Sequence, residues 1–229
     1  MFKFISIVED LILMQNLTTE DQNLVKARNN MVQNQIVPNN VTDIAVLNTL
    51  KSVPKHMFVE GKFQLVAYSE GSISAGSGRI ILEPVIFAKM LQACAIKKTD
   101  IVLDIGCGLG YSTAVLALLS RAVVGIENDL HLIVSAKHNL SILGIDNFAI
   151  HSGDFSYGHP DKAPYDIIFI NGALRKTLEI LFEQLSNGGR LVSIEQTSSG
   201  MAMAVIYTKK HQDQLDRQEI YHCSLNYIE

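Results

Sequence analysis

A chain of 229 residues with 48% hydrophobic content can bury a full core, and one α/β domain with added elements is the natural expectation. A formal charge of −4, from 19 basic and 23 acidic residues, argues against a nucleic-acid groove or a polybasic membrane contact. Cys94, Cys107 and Cys223 lack metal-ligand or C-x-x-C spacing and fit a reducing cytoplasm; His56, His151 and His159 are too scattered to suggest a metal site. No run approaches the length of a membrane span.

The opening MFKFISIVEDLILMQN is apolar, but Glu9 and Asp10 interrupt it and no small-residue cleavage site follows. A helix packed on the domain, or lying in a partner's groove, is expected over residues 1–16 rather than a secretory signal. Leu17 to Val37 carries Val25, Met31, Val32 and Ile36 at helical spacing after the start signal Thr18-Thr19-Glu20-Asp21. Val41 to Val53 predicts a second helix, with Thr42 as cap, Ala45, Leu47 and Leu50 inward, and Pro54 as the stop. The following stretch, to Pro84, reads as a long polar, Gly/Ser-rich loop of the kind that carries function. Pro84 to Ile96 is helical again.

From there helix and strand alternate. Ile101 to Tyr111, IVLDIGCGLGY, runs a short buried strand into Gly106, Gly108 and Gly110, with a helix from Ser112 to Leu119. VVGIE ends a second strand at Glu127, and Leu130 to Leu143 is a helix closed by Gly144. NFAIHSGD, ending at Asp154, and YDIIFIN, residues 165–171, are further strands. Leu174 to Leu185 predicts a helix, broken by Asn187-Gly188-Gly189 before the strand GRLVSIEQ. MAMAVIYTKK and RQEIYHCSL, joined by a turn near Gln212-Asp213 too short for a crossover, predict an antiparallel hairpin. The fold class is therefore α/β: a Rossmann-like, mostly parallel doubly wound sheet closed by a C-terminal antiparallel hairpin. Residues 1–95 are expected to form an N-terminal helical segment and substrate-side loop, packed on a cofactor-binding core of residues 96–229.

The glycine turn predicts a nucleotide-type cofactor. Glycines allow backbone N–H groups to face outward, and the next helix aims its positive dipole end at the same spot. A dinucleotide fingerprint needs its third glycine at position 111, which is Tyr111, so NAD is disfavoured. Gly106-Cys107-Gly108-Leu109-Gly110 after Asp104 instead resembles the first motif of S-adenosylmethionine-dependent methyltransferases. Glu127 stands where a ribose-binding acid is expected.

More specific phrases carry a narrower resemblance from about Arg28 onward. Met31-Val32 with Gln33 and Gln35, Val53-Pro54-Lys55-His56-Met57-Phe58-Val59, Leu103 to Tyr111 with Ser112-Thr113-Ala114, Gly153-Asp154, Ala163-Pro164-Tyr165-Asp166 and LFEQLSNGGRLV together resemble the protein-L-isoaspartate O-methyltransferase family. Ala67-Tyr68, the Gly76/Gly78 loop and Pro84 sit where that family's substrate-side loop lies. The resemblance implies a cytoplasmic S-adenosylmethionine-dependent O-methyltransferase that methylates the α-carboxyl of L-isoaspartyl residues in damaged-protein repair. It implies that Asp104, Gly106, Cys107, Gly108 and Gly110 belong to the cofactor site, that Glu127 takes the ribose hydroxyls, and that Asp154 and Phe155 meet the adenine. The partner is then a protein or peptide carboxylate, with no nucleic acid, membrane or metal, and with either a monomer or a dimer open.

One segment departs from the family. Where its loop reads G-Q-T-I-S-x-P, this chain has Gly78-Arg79-Ile80-Ile81-Leu82-Glu83-Pro84. Both hydroxyls are gone and Leu82 takes the active-site serine position, which a hydrocarbon side chain cannot replace as a donor. Arg79 offers a substitute, since a guanidinium can clamp a carboxylate with two parallel hydrogen bonds. A methyltransferase with a different acceptor, and a non-catalytic S-adenosylmethionine-binding protein, are the competing readings.

Overall fold

The computed structural model describes residues 22–175, 178–210 and 214–228. The expectations for residues 1–16, for the start signal at 18–21 and for the turn at Gln212-Asp213 lie outside the described residues. The first helix, α1 (residues 22–30), passes into a π-turn at Met31–Ile36 and a 3-10 turn at Val37–Asn39, ended by Asn40 at φ 61°. The wider π spacing lets Met31 and Ile36, five residues apart, both reach the core, with Leu24 and Ala27 packed against it. Val25, expected inward, lies off that face and is exposed.

α2 (Ile44–Ser52) is capped by Asp43, not Thr42: the Asp43 carboxylate accepts from the N–H of Ala45 at 2.8 Å and of Val46 at 3.2 Å. Thr42 instead donates its backbone N–H to Gln92. Val46, Thr49 and Leu50 are buried, while Ala45, expected inward, is exposed.

Residues 55–83 are not the irregular loop that their composition predicts. They hold 3-10 turns at Lys55–Phe58 and Gly61–Val66 and a hairpin of β1 (Ile73–Gly76) and β2 (Arg79–Ile81). Phe58, Ile73, Ala75, Ile81 and Leu82 belong to the main hydrophobic core. α3 (Pro84–Cys94) begins on Pro84 and leads to the sheet.

The sheet comprises β3 (Ile101–Ile105), β4 (Ala122–Glu127), β5 (Phe148–Ser152), β6 (Tyr165–Ile170), β7 (Leu185–Gln196), β8 (Ala202–Lys209) and β9 (Leu215–Cys223), in the order β5-β4-β3-β6-β7-β8-β9. β3 to β7 pair in parallel and β7, β8 and β9 antiparallel, so the expected Rossmann-like sheet and closing hairpin form. Period-2 alternation sends Val102, Val123, Ile150, Ile167 and Val192 into one core and Leu103, Ile105, Val124, Ile126 and Ile168 into the other. α4 (Tyr111–Leu119) and α5 (Leu130–Ile142) join the first core. The second is covered in part by α6 (Glu179–Glu183), much shorter than the predicted 174–185 helix. Asn187-Gly188-Gly189 lies inside β7 as a bulge: Tyr165 pairs with Leu185 but Ile167 with Arg190, and Gly188 takes φ 78°.

The chain visits β3, β4 and β5 on one side, then returns to β6 on the other side of β3. That reversal makes the carboxyl ends of β3 and β6 the switch point where an α/β sheet opens a crevice. Among the described residues no helix is long and apolar enough to cross a membrane, and no cluster of His, Cys, Asp or Glu is placed to hold a metal.

Candidate active site

The glycine turn sits at the switch point. Gly106, Gly108 and Gly110 have φ of 71°, 54° and 96°. A Cβ on Gly106 would stand 2.7 Å from Ile228 Cδ1, so both conformation and space require glycine there. The turn's N–H groups do not point outward as expected. Gly106 and Cys107 donate to the Ile126 carbonyl at 2.9 and 3.4 Å, Gly110 to Cys107 at 2.9 Å, and Gly108 to Glu127 Oε2 at 2.9 Å. The turn is folded back on the end of β4, which binds it firmly and withdraws those four donors from a pyrophosphate.

Asp104 is fully buried and serves as a brace. It accepts from Ser112 Oγ at 2.8 Å, Thr113 Oγ1 at 2.6 Å and Asn171 Nδ2 at 2.7 Å, tying β3 to the start of α4 and the end of β6. Burial pushes its carboxyl up to about 6, against the pull of those three donors. Cys107 is buried beside Gly125, and burial raises its thiol well above the ordinary range, which keeps it neutral and unreactive.

Glu127 is also fully buried, at the carboxyl end of β4. Its Oε1 accepts from the N–H of Asn128 at 2.8 Å and of Asp129 at 3.2 Å, besides the Gly108 bond on Oε2. The remaining partner is Arg79, whose Nε lies 3.2 Å from both oxygens. Arg79 Nη2 reaches Asn128 Oδ1 at 2.6 Å, and its Cζ lies 4.7 Å from the centroid of the Phe155 ring. Arg79, expected to face an acceptor, therefore lies across Glu127 and Phe155, the residues expected at the cofactor.

Phe155 is 2% exposed, its ring under the guanidinium. Asp154, expected at the adenine, uses Oδ1 to accept from Ser156 N at 2.8 Å and Oγ at 2.6 Å, capping the turn after β5. Leu82 is 3% exposed and packs in the core. Between the hairpin and the glycine turn lies a cavity of about 10 Å³, edged by Ala75, Ile81, Phe58, Gly106, Gly108 and Asn171. That is room for no more than one water.

Three contributors escaped the sequence reading. Asn171 ends β6 as Glu127 ends β4, a polar residue closing an apolar strand, and that shared signal marks it. Asn128 stands directly after Glu127 and anchors Arg79. Residues 226–228 have no local signal. The tail pairs in parallel at Ala173 and Tyr227, with Ala173 N–H to Asn226 O at 2.8 Å and Ile228 N–H to Ala173 O at 3.1 Å. It seats Ile228, 1% exposed, against Gly106 and Gly172.

Comparison with known proteins agrees with this geometry. A solved protein-L-isoaspartate O-methyltransferase superposes with a TM-score of 0.72 at 25% identity, over 83% of this chain and 62% of that one. A second, from Plasmodium falciparum and in complex with S-adenosyl-L-homocysteine, has a TM-score of 0.71 at 19% identity, over 88% and 98%. Protein-L-isoaspartate O-methyltransferase 1 of Syntrophobacter fumaroxidans is 36% identical over 74% of this chain and 79% of its own length. The Koribacter versatilis protein-L-isoaspartate O-methyltransferase is 33% identical over 86% and 87%. Residues 26–228 match the family described as Protein-L-isoaspartate(D-aspartate) O-methyltransferase (PCMT), and the chain belongs to that family of S-adenosylmethionine-dependent O-methyltransferases.

Proposed function

We propose that this chain methylates the α-carboxylate of isoaspartyl residues in proteins or peptides, as a repair enzyme of the reducing cytoplasm. The observation that carries the reading is the surrounding of Glu127: a buried carboxylate at a strand's end, beside an aromatic face, holding a flat group that donates to both its oxygens. Arg79 thus stands in for the donor pattern and flatness of an adenosine, and Glu127 with Phe155 fits the ribose and adenine of S-adenosylmethionine. Asp104 acts through Ser112, Thr113 and Asn171, fixing the turn against which the methionine part would lie.

When bound, S-adenosylmethionine would supply a methyl carbon on a sulfonium: an ionised carboxylate oxygen would form the new O–C bond in line as the C–S bond breaks and its electron pair leaves with S-adenosyl-L-homocysteine, so no general base is needed. This chain's own task is to position the acceptor and exclude water. The hairpin, buried through Ile73, Ala75 and Ile81, supplies an apolar wall against the turn. The site's closeness means the hairpin or Arg79 must shift to admit ligands.

A second reading, a different carboxylate or other acceptor, is favoured by one observation: Leu82 lies in the core at the family's serine position. A methyl-transfer assay with isoaspartyl peptide, matched aspartyl peptide and no acceptor separates the two, after calorimetry with S-adenosyl-L-homocysteine. Transfer to isoaspartyl peptide alone is expected. Cofactor binding without transfer to either peptide rejects the isoaspartyl acceptor.

A further inference from the structure

Arg79 belongs by sequence to the acceptor-side hairpin, yet it is held by the residues that fit the cofactor. Its side chain is 7% exposed, and it meets Glu127 with Nε, Asn128 with Nη2 and the Phe155 ring with its guanidinium, Cζ lying 4.7 Å from the centroid. One side chain thus covers both the ribose acid and the stacking face. Adenosine hydroxyls cannot reach Glu127 while Arg79 Nε bonds both its oxygens.

Displacement leaves the two charges in different positions. Glu127 keeps the N–H bonds of Gly108, Asn128 and Asp129, and gains the hydroxyls. The guanidinium loses Glu127, its ion-pair partner among the described residues, and a buried cation without one is strongly disfavoured. It must turn toward another anion. Arg79 is the first residue of a three-residue strand that follows Ser77 and Gly78, both at positive φ, and its Cβ would lie 3.6 Å from a Cβ on Gly108. It therefore stands between the cofactor residues and the hairpin's own face, where a carboxylate acceptor would offer the planar, two-oxygen partner that a guanidinium fits.

Resting on the S-adenosylmethionine-dependent reading above, we propose that Arg79 is a cofactor-displaced latch: it competes with the cofactor for Glu127 and, once released, pairs with the acceptor carboxylate. Cofactor and acceptor then bind with positive coupling. The latch lowers apparent cofactor affinity by the fraction of time it is open, and the acceptor restores it by holding the latch open.

Calorimetry on the full chain tests this in the unreactive complex of S-adenosyl-L-homocysteine with isoaspartyl peptide. Wild type, Arg79→Gln and Arg79→Lys are compared, each with thermal unfolding to show that it is folded. Arg79→Gln is expected to bind S-adenosyl-L-homocysteine roughly tenfold more tightly than wild type, since glutamine cannot hold Glu127 as an ion pair. In wild type, saturating isoaspartyl peptide should tighten S-adenosyl-L-homocysteine at least about fivefold, the reverse effect should be equal, and aspartyl peptide should do neither. In Arg79→Gln the coupling should vanish. Arg79→Lys, which keeps the charge but not the fork, should fall between and carries the test if the glutamine variant unfolds. Equal or weaker binding in Arg79→Gln overturns the latch, and tighter binding with coupling intact overturns the transfer to the acceptor. If neither wild type nor variant binds S-adenosyl-L-homocysteine, the cofactor reading itself fails, and the latch with it.

Discussion

At the end of β3 the chain is held by its backbone: four N–H groups of the glycine turn are fixed to Ile126, Cys107 and Glu127, and Asp104 is braced by three side chains. Across the cleft, among the described residues, the hairpin is tied to the rest of the chain by side chains, through Ile73, Ala75, Ile81 and Leu82 in the core and Arg79 on Glu127. A site fixed by backbone geometry tolerates few residue types, so its sequence is recognisable. A site fixed by packing accepts any residue that fills the space, and there the family's hydroxyls have given way to hydrocarbon. On the site assignment proposed above, one enzyme can therefore carry a conventional cofactor half and a divergent acceptor half.

The largest expected effect sets one glycine from each half against the other. Gly106→Ala drives a Cβ to within 2.7 Å of Ile228 at φ 71°, and a loss of about 2–4 kcal/mol in unfolding free energy is expected by urea titration. Gly78→Ala, at φ 75° with no atom within 4 Å of the new Cβ, should lose only about 1 kcal/mol. Equal losses in the two would contradict the contrast between halves.

The brace at Asp104 predicts a pH dependence that the hairpin lacks. Its carboxyl is harder to ionise in the folded chain, at about 6 against an ordinary 3.8, so the folded state favours the protonated form. This contribution is fully present below 3.8 and is lost as pH rises to about 6, amounting to about 3 kcal/mol. Relative to Asp104→Asn, wild type should lose about 2.4 kcal/mol between pH 4 and pH 7. A constant difference in denaturation midpoint across that range would refute it.

Glu127→Ala comes next. Removing the acceptor of paired hydrogen bonds should weaken S-adenosyl-L-homocysteine by about 1.5–3 kcal/mol, roughly 10- to 150-fold. It should also leave Arg79 without its carboxylate and lower the melting temperature. Unchanged affinity by calorimetry would remove Glu127 from the cofactor site. In the same titration, micromolar NAD should not displace the bound ligand, because Tyr111 stands where the dinucleotide turn needs glycine.

The smallest effect concerns chemistry at the hairpin. Ile80→Thr with Leu82→Ser restores the family's hydroxyls around Ile81 and should raise isoaspartyl methylation several-fold, on the order of 1 kcal/mol, with cofactor affinity unaltered. Since Leu82 is buried, the serine should also lower stability by about 2 kcal/mol, visible as an earlier melt. No change in rate would mean that the hydroxyl has no role in this chain.

Legibility followed the same division. β3, β4 and β6 are largely apolar runs followed or closed by a glycine, an acid or an asparagine, and the sequence marks them to within a residue or two. Residues 55–83 bury one or two residues at a time among Ser, Gly and Lys, in turns too short for a period, so their order was hidden. Asp43 displaced Thr42 as cap although either side chain suits that position; the backbone N–H groups of both residues donate to Gln92, and it is the Asp43 carboxylate that reaches the N–H groups of Ala45 and Val46. Gly188, taken as a break, is tolerated inside β7 as a bulge. Arg79 was found as a candidate, but its reach of 48 positions along the chain to Glu127 has no local trace.

That reach also constrains how the protein can evolve. Because one side chain joins the hairpin to the strand end that carries Glu127, a substitution at position 79 alters both halves of the site at once. On the latch proposed above, acceptor preference would not drift through that position independently of the cofactor. Variation in acceptor choice should accumulate first at neighbours such as Ile80, half-buried and without a bond to Glu127, and reach Arg79 only together with compensating change at Glu127, Asn128 or Phe155.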